Sequence, residues 1–180
     1  MAFTERGYAQ ATVKDITDRA GIAAGTFYLY FGAKEEVGLA LIDTMFERVM
    51  GLAREARQGC SEPREKLLAS ARSVLTAFGT DASLSRFVLV SAPGAHPAFD
   101  ERLSAVHAAL IALVAEDVRE ILGEGAPTPT ERVSEALVGG VGEVVTAWVR
   151  RGSDPSELAA SAEVLARFFG GGLEEVREHV

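Results

Sequence analysis

The sequence is poor in the residue types from which most catalytic and metal centres are built. Its 180 residues include one cysteine and three histidines. Cys60 has no partner for an intrachain disulfide, and His96, His107 and His179 show neither HExxH nor CxxC spacing. The glycine-rich stretches follow no predicted strand, as a phosphate-binding loop would. An enzyme is therefore a weakly supported alternative, and no catalytic residue, metal ligand or cofactor is indicated.

Positive charge is also scarce. The formal net charge is −8 at pH 7. Affinity for nucleic-acid phosphates comes from clustered lysine and arginine, so this balance excludes a protein that coats nucleic acid non-specifically. A local DNA-reading segment is not excluded, because residues 1–58 hold seven basic against eight acidic side chains and are the less acidic part of the chain.

A long hydrophobic run is missing as well. The most apolar stretch, residues 136–149, is interrupted by Glu143. It is shorter than the roughly 20 residues that a membrane-spanning helix needs. The N-terminus lacks the basic start and apolar stretch of a secretory signal. We therefore expect a cytoplasmic protein with no membrane partner.

No stretch shows the period-two alternation of a strand, whereas apolar residues recur at helical spacing along most of the chain. The composition, 48% hydrophobic and 24% charged, is typical of a soluble helical protein. We predict an all-α fold of about eight helices, two of which start at capping-box sequences in residues 128–131 and 154–157. The predicted helices cover about residues 12–20, 23–31, 34–58, 63–78, 84–92, 97–121, 129–150 and 155–170.

The first two predicted helices are short and are joined by a glycine-containing turn. Two such helices can form a helix-turn-helix, whose second helix fits the major groove of DNA, about 12 Å wide. The same geometry also occurs in packed helical hairpins that bind no DNA. Phe27 and Phe31 lie one turn apart and are expected to pack against the first helix, on Val13 and Ile16. Tyr28 faces another way.

A series of residues at fixed spacing favours the DNA-binding interpretation. It comprises Phe3, Gly7, Tyr8, Thr12, Val13, Asp15, Ile16, Ala20, Gly21, Ile22, Gly25, Thr26, Phe27, Tyr28, Tyr30, Phe31, Lys34 and Glu35. This series closely resembles the DNA-binding signature of the tetracycline-repressor (TetR) family of bacterial regulators. The resemblance in sequence covers about residues 3–37, and the remainder of the chain resembles the family in architecture alone.

The resemblance implies two sets of DNA contacts. The residues expected to approach base edges are Ala24, Gly25, Thr26 and Tyr28. The residues expected to hold phosphates are Thr12, Tyr30 and Lys34, with Thr12 at a helix start, where free N–H groups favour an anion. Tyr30 could instead serve mainly for packing, and Lys34 could be part of a charged first helical turn.

The sequence departs from the family pattern in three places. The family has a longer first helix before the position of Phe3. The polar residues common before the recognition helix and before the lysine are Ala23 and Ala33 here. We expect weak, salt-sensitive operator binding that depends on dimerisation. The predicted domains are a DNA-binding domain over residues 1–46, with a truncated first helix, and a ligand-binding and dimerisation domain over residues 47–180.

The second half of the chain is expected to supply a dimer interface and a ligand pocket. Glycines inside a helix cost up to about 1 kcal/mol each relative to alanine, which indicates close approach of another helix. The expected interface residues are Gly139, Gly140, Leu158, Leu165, Phe168 and Phe169. The resemblance also implies an apolar pocket, with Phe78, Phe87, Phe99, His107, Leu110 and Trp148 as candidate lining residues. All of these side chains could instead serve the core of one monomer.

The resulting hypothesis is a homodimeric, ligand-responsive transcriptional regulator. We expect a repressor that is released from a palindromic double-stranded DNA operator by a small apolar or amphipathic inducer. The alternative is a helical ligand- or protein-binding dimer without DNA binding, which the truncated first helix and the non-basic head favour. The sequence identifies neither the inducer nor the operator.

Overall fold

The computed structural model describes residues 2–123 and 127–179, and within these ranges it contains helices and no strand. The predicted all-α fold is confirmed. A π-helical turn, Phe87–Ser91, lies between the sixth and seventh helices. The α-helices are α1 (Ala2–Arg6), α2 (Val13–Ala20), α3 (Ala24–Tyr30), α4 (Lys34–Arg57), α5 (Pro63–Gly79), α6 (Ala82–Arg86), α7 (Pro97–Leu122), α8 (Pro127–Arg151) and α9 (Pro155–His179).

Local sequence sets where several helices begin and end. A capping box opens α2, in which the Asp15 N–H donates to Thr12 Oγ1 at 3.2 Å and the Thr12 N–H donates to the Asp15 carboxylate at 2.9 Å. Pro63 and Pro97 occupy the first turns of α5 and α7, where a missing N–H breaks no helical hydrogen bond. Gly21 ends α2 in the left-handed conformation, with a φ of 66°.

Three predicted boundaries differ from the structure. The predicted helix at 84–92 is two elements, because the Ala92 N–H donates to the Phe87 carbonyl five residues earlier, at 2.8 Å, and so widens the turn. Helix α8 begins at Pro127, which puts Thr128 inside the helix, and the side chain of Thr128 lies outside what the structure describes. Helix α9 runs without a break through its glycine cluster.

The predicted capping box at the start of α9 forms only in part. Asp154 Oδ1 accepts hydrogen bonds from the Ser156 N–H and hydroxyl at 2.9 and 2.8 Å. The Glu157 carboxylate pairs with Arg151 at 3.0 Å instead of reaching back to the cap. The start of α9 is therefore held from both sides, by its own cap and by the end of α8.

Within the part of the chain that the structure describes, three hydrophobic clusters hold the helices together. The first joins the N-terminal segment to the rest of the chain, with the Phe3 ring 5.2 Å from Phe87 and the Tyr8 ring 4.8 Å from Phe99. The other two lie among α5, α7, α8 and α9. Full burial of a large apolar side chain such as Phe or Leu contributes about 1.5–3 kcal/mol to the stability of the fold.

Helix α4 runs without interruption from the N-terminal segment into the bundle. Near its start Gly38 leaves room for a ring of α7, since a Cβ at Gly38 would lie 2.2 Å from Phe99 Cζ. In its last turn the Arg57 guanidinium donates to Asp117 of α7 at 2.5 Å and to the Ser70 hydroxyl of α5 at 3.2 Å. Helix α4 is thus fixed to α7 at both ends, and the predicted boundary after residue 46 falls inside it.

Candidate nucleic-acid interface and ligand cavity

Helices α2 and α3 form a compact helix-turn-helix. The turn closes with hydrogen bonds from the Gly21 N–H to the Asp18 carbonyl and from the Ile22 N–H to the Thr17 carbonyl. The Phe27 side chain is 2% exposed, and its ring lies 5.7 Å from that of Phe31. One face of α3 is therefore committed to the core, which fixes the direction of the opposite face.

The rest of the circumference of α3 carries large side chains in solvent. Tyr28, Leu29 and Tyr30 are 60%, 80% and 77% exposed. Ala24 is exposed and Thr26 is half-buried on the same helix. A Cβ at Gly25 would meet no atom within 4 Å, so the backbone there is open to a partner. Of the predicted base-contacting residues, Ala24, Gly25 and Tyr28 lie within about 100° of one another around the helix, whereas the half-buried Thr26 lies on a different side.

Leu29 was missed by the sequence reasoning. Its exposure is the highest among the exposed large hydrophobic side chains of the described residues. The signal that could have revealed it is helical phase, because a residue two positions after the buried Phe27 lies about 200° around the helix. An apolar side chain at a solvent-facing phase of a recognition helix is suited to contact with a thymine methyl group.

Both hydrogen-bond donors of Thr12 already bond to a carboxylate within the protein, that of Asp15. The Thr12 hydroxyl donates to Asp15 Oδ2 at 2.7 Å, and the Thr12 N–H donates to the same oxygen at 2.9 Å. These hydrogen bonds lower the pKa of the Asp15 carboxyl below its ordinary value, and the nearby Arg6 guanidinium, 3.6 Å away, acts in the same direction. At the start of α2 the Asp15 carboxylate therefore lies where the resemblance implied a DNA phosphate.

We expect Asp15→Asn to destabilise the protein at neutral pH and to lose this effect in acid. Because the folded-state pKa is depressed, the ionised carboxylate stabilises the fold above about pH 5, and this contribution declines progressively as the pH falls from about 4 toward the lowered folded-state pKa. The measurement is the melting temperature of both proteins between pH 7 and pH 3. Thr12→Val removes the donating hydroxyl. In that background, Asp15→Asn should lower the melting temperature at neutral pH by less. Parallel curves across this range would contradict the assignment.

Lys34 also has internal partners. Its Nζ donates to the carbonyl oxygens of Tyr8, Ala9 and Ala11 at 2.9, 3.3 and 3.0 Å. The same ammonium lies 4.5 Å from the centroid of the Tyr8 ring. The side chain that was expected to hold a phosphate is therefore directed toward the loop between α1 and α2. Tyr30, by contrast, stands in solvent.

The cations of α1 and α2 are paired with carboxylates of the same two helices. Lys14 lies 2.6 Å from Asp18, and Arg19 lies 2.6 Å from Glu5. Exposed pairs of this kind are worth about 0–1 kcal/mol, so they exchange readily for other anions. The surface around α2 is thus close to neutral in the free protein and offers cations only when these carboxylates move aside.

A cavity of about 290 Å³ lies among α5, the π-helical turn, α7 and α8. Apolar side chains from these elements make up most of its wall. Arg64 and His107 also line it and are exposed, which puts them near its opening. Of the predicted pocket residues, Phe78, His107 and Leu110 line this cavity.

The other three predicted pocket residues do not line the cavity. Phe87 and Phe99 point into the cluster around Phe3 and Tyr8, because that cluster needs aromatic side chains from the π-helical turn and α7. Trp148 is buried in the cluster shared by α8 and α9, and its indole N–H donates to the Asp154 carbonyl at 2.6 Å. Apolar residues at the same helical spacing thus lie either in a buried cluster or in the wall of the cavity.

The outer face of α8 and α9 carries only part of the predicted interface. Phe168 is 71% exposed, and Gly139 is exposed with nothing within 4 Å of an added Cβ. Leu158 and Leu165 are instead buried inside the monomer, in the cluster that contains Trp148. Gly140 and Phe169 contact each other across α8 and α9, with 3.3 Å between a Cβ at Gly140 and Phe169 Cζ. Val164, 66% exposed, joins Phe168 on the outer face.

None of the helices within 2–123 and 127–179 combines the length and apolarity that crossing a membrane requires. In the same part of the chain no three His, Cys, Asp or Glu side chains are grouped so that they could hold a metal ion.

Residues 1–41 match the sequence model of the family described as bacterial regulatory proteins, tetR family. Over these residues the chain is similar to the TetR family. The match covers α1, the helix-turn-helix and the first turns of α4, which are the elements whose geometry is described above. Residues 1–41, called the head, therefore include both the exposed side of α3 and the loop held by Lys34.

Solved structures share the fold of the whole chain. A fatty acid degradation regulator, FadR, from Bacillus halodurans is 24% identical, with a TM-score of 0.82 over 95% of this chain and 93% of that one. FadR from Bacillus subtilis, solved in complex with stearoyl-CoA, is 20% identical, with a TM-score of 0.80 over 93% and 91%. A TetR-like regulator from Rhodococcus sp. RHA1 is 24% identical, with a TM-score of 0.78 over 96% and 90%. At these identities the likeness concerns the fold.

Proposed function

We propose that this chain is a homodimeric, ligand-responsive repressor that binds a palindromic DNA operator and is released by an apolar or amphipathic small molecule. The observation that carries the proposal is the outer face of α3. Tyr28, Leu29 and Tyr30 stand in solvent there, on a helix whose other side is fixed in the core. Clustered exposed apolar side chains mark an interaction surface, and a recognition helix is the element that enters the major groove.

Base recognition is assigned to Ala24, Gly25, Thr26 and Tyr28, with Leu29 added. The Thr26 hydroxyl can donate or accept a hydrogen bond at a base edge, and the open space at Gly25 allows close approach of the backbone. Leu29 supplies an apolar contact of the kind that distinguishes thymine by its methyl group. Selectivity for the operator would therefore come mainly from one short helix per protomer.

Phosphate binding is assigned first to Tyr30, whose ring is 77% exposed. Thr12 would join it only after exchanging its Asp15 carboxylate for a phosphate oxygen, since both donors are engaged in the free protein. Lys14 and Arg19 are available on the same terms, because their exposed pairs are weak. Operator binding built on such exchanges is expected to be weak and strongly dependent on salt.

The ligand is proposed to be an amphiphile with a long alkyl or acyl chain. The apolar wall of the cavity suits such a chain, and Arg64 and His107 near the opening suit a polar or anionic head group. The B. subtilis FadR structure, which has the same fold, was solved with stearoyl-CoA. Helix α7 lines the cavity and contacts α4 through Phe99 and Asp117, so a ligand that moves α7 would move the head.

The chain is proposed to consist of two domains that share α4. Residues 1–46 are the DNA-binding domain and residues 47–180 the ligand-binding and dimerisation domain, with α4 shared between them. Two heads are needed because a helix-turn-helix reads one half-site, and half-sites lie about 34–36 Å apart. The outer face of α8 and α9, with Gly139, Val164 and Phe168 exposed, is the proposed dimer interface.

Phe168→Glu is expected to shift the protein from dimer to monomer. A carboxylate in the centre of an apolar helix interface loses its hydration without gaining a partner. The matched control is Ala159→Glu, which introduces the same charge at an exposed position of α9 about 180° away around the helix. Sedimentation equilibrium of both variants checks the expectation. A Phe168→Glu protein that remains as dimeric as the control would contradict this interface.

The function is tested with DNA selected from a random-sequence duplex library. The expected result is saturable binding to a palindromic sequence, with Tyr28→Ala and Leu29→Ala changing the selected sequence and an exposed α8 variant, Arg132→Ala, leaving it unchanged. Stearoyl-CoA should weaken operator binding, whereas coenzyme A without an acyl chain should not. Coupling is reciprocal, so the operator should weaken stearoyl-CoA binding by the same factor.

The failures of this experiment separate the alternatives. A folded dimer that binds stearoyl-CoA but selects no duplex would support the helical ligand-binding dimer without DNA binding, which the paired cations of α1 and α2 favour. Selection of an operator whose affinity stearoyl-CoA leaves unchanged would reject the acyl ligand and keep the DNA-binding assignment.

A further inference from the structure

The Lys34 side chain, which the sequence predicted to hold a phosphate, makes its hydrogen bonds inside the protein. An ammonium group has three protons to donate, and here three backbone carbonyls receive them, those of Tyr8, Ala9 and Ala11. We infer that Lys34 is a positioning residue, which fixes the loop between α1 and α2 on the first turn of α4 and does not bind a phosphate. The inference rests on the proposed function of the head as a DNA reader.

The loop that Lys34 holds has one described backbone hydrogen bond of its own, from the Ala11 N–H to the Gly7 carbonyl at 3.1 Å. Residues 7–12 contain no helix, and Gly7 turns the chain with a φ of 75°. Buried carbonyl groups need hydrogen-bond partners, and a loop cannot supply them through a helical ladder. The loop is nevertheless well packed, since the side chains of Tyr8 and Ala11 are buried. Lys34 thus supplies donors at the point where the backbone turns inward.

The opposite side of the same loop rests on α7. The Tyr8 ring contacts the Phe99 ring with centroids 4.8 Å apart, while the Lys34 ammonium lies 4.5 Å from the Tyr8 centroid. Phe99 in turn fits against Gly38, one turn further along α4 than Lys34. Lys34, Tyr8, Phe99 and Gly38 therefore form one contact group that joins α4, the loop and α7.

The loop leads directly into the proposed DNA-binding surface. Ala11 is held by Lys34, Thr12 follows as the cap of α2, and α2 carries α3. A displacement of the first turn of α4 is therefore passed to the start of α2 through the Lys34 ammonium. This role requires the three carbonyl bonds to persist when DNA is bound, whereas a phosphate ligand would have to release them.

The test compares Lys34→Met with Lys14→Met. Both variants remove one positive charge from the head, but Lys14 is 80% exposed and bonds only to Asp18 among the described contacts. Hydrogen–deuterium exchange without DNA is measured on a peptide that contains residues 7–12. We expect at least tenfold faster exchange of its amides in Lys34→Met, no change in Lys14→Met, and no change in a peptide from the middle of α7 in either.

The second readout is the salt dependence of binding to the selected duplex. Each phosphate contact contributes about 0.9 to the slope of log K against log salt concentration, or about 1.8 for a symmetric dimer. For Lys34→Met we expect at least a tenfold loss of affinity with the slope unchanged. A slope smaller by about 1.8 would overturn the inference and return Lys34 to the phosphate ligands.

A measurement on the unaltered chain guards against a variant that fails to fold. An ammonium held by three carbonyls should give a resolved Nζ–Hζ correlation in an NMR spectrum, and its chemical shift should stay the same when the duplex is added. Loss or a large shift of this signal on DNA binding would overturn the inference. If no duplex binds, the proposed function fails, and the exchange experiment alone decides whether Lys34 holds the loop.

Discussion

Asp117→Ala is expected to lower the free energy of unfolding by about 3–5 kcal/mol. The Asp117 side chain is 2% exposed and the Arg57 side chain 17%, with 2.5 Å between the guanidinium and the carboxylate. Removing the carboxylate leaves a largely buried cation with only the Ser70 hydroxyl, 3.2 Å away, as a further partner among the contacts described. The loss is a large part of the total stability of a typical domain, about 5–15 kcal/mol.

The control for Asp117→Ala is a second arginine–aspartate pair of this protein that is exposed to solvent. Asp43 and Arg102 also join α4 to α7, but their side chains are 44% and 36% exposed. Asp43→Ala is expected to cost no more than about 1 kcal/mol. Denaturant unfolding of both variants makes the comparison, and replacing Arg57 and Asp117 together by Met and Leu should recover most of the loss. Equal losses in the two single variants would contradict the buried-pair assignment.

Gly38→Ala is the second change with a large expected effect. The added Cβ would lie 2.2 Å from Phe99 Cζ and 2.7 Å from Cε1, and the Phe99 ring is fully buried. Overpacking of a rigid core costs about 1–3 kcal/mol. A 2.2 Å approach calls for a value near the upper end. Because the ring belongs to α7, the strain would also push α7 away from the head end of α4.

Gly51→Ala provides the matched control on the same helix. A Cβ at Gly51 meets nothing within 4 Å, so this variant keeps the gain in helix propensity, up to about 1 kcal/mol, without the clash. The difference in unfolding free energy between the two variants therefore isolates the overpacking. Phe99→Leu in the Gly38→Ala background should recover part of the loss. If Gly38→Ala were as stable as Gly51→Ala, the tight contact with Phe99 would be refuted.

Sequence reasoning succeeded where one local rule determines the outcome. The start of α2 at Thr12, the glycine-containing turn after α2 and the start of α5 at Pro63 each depend on a few neighbouring residues. The buried phase of α3 followed from Phe27 in the same way, by the helical period alone. The fold class and the helix-turn-helix could therefore be predicted from the sequence.

It did not identify the partners of side chains that act over long sequence distances. Lys34 reaches carbonyls 23 to 26 residues earlier, and no local pattern encodes a loop that turns its backbone toward α4. Phe87 and Leu165 have ordinary helical spacing, so the pattern alone could not tell which of several interiors each would enter. Such choices depend on how whole helices are arranged, which is a tertiary property.

Neighbouring residues of the π-helical turn contact two different parts of the protein. Phe87 stacks on Phe3 beneath the head, while Val88 and Leu89, the next two residues, line the cavity. Val88 also belongs to the buried cluster that contains Phe3 and Phe87, so the cluster and the cavity adjoin at this turn. A substitution that reshapes the cavity at Val88 would therefore also disturb the neighbouring Phe87, which packs against Phe3.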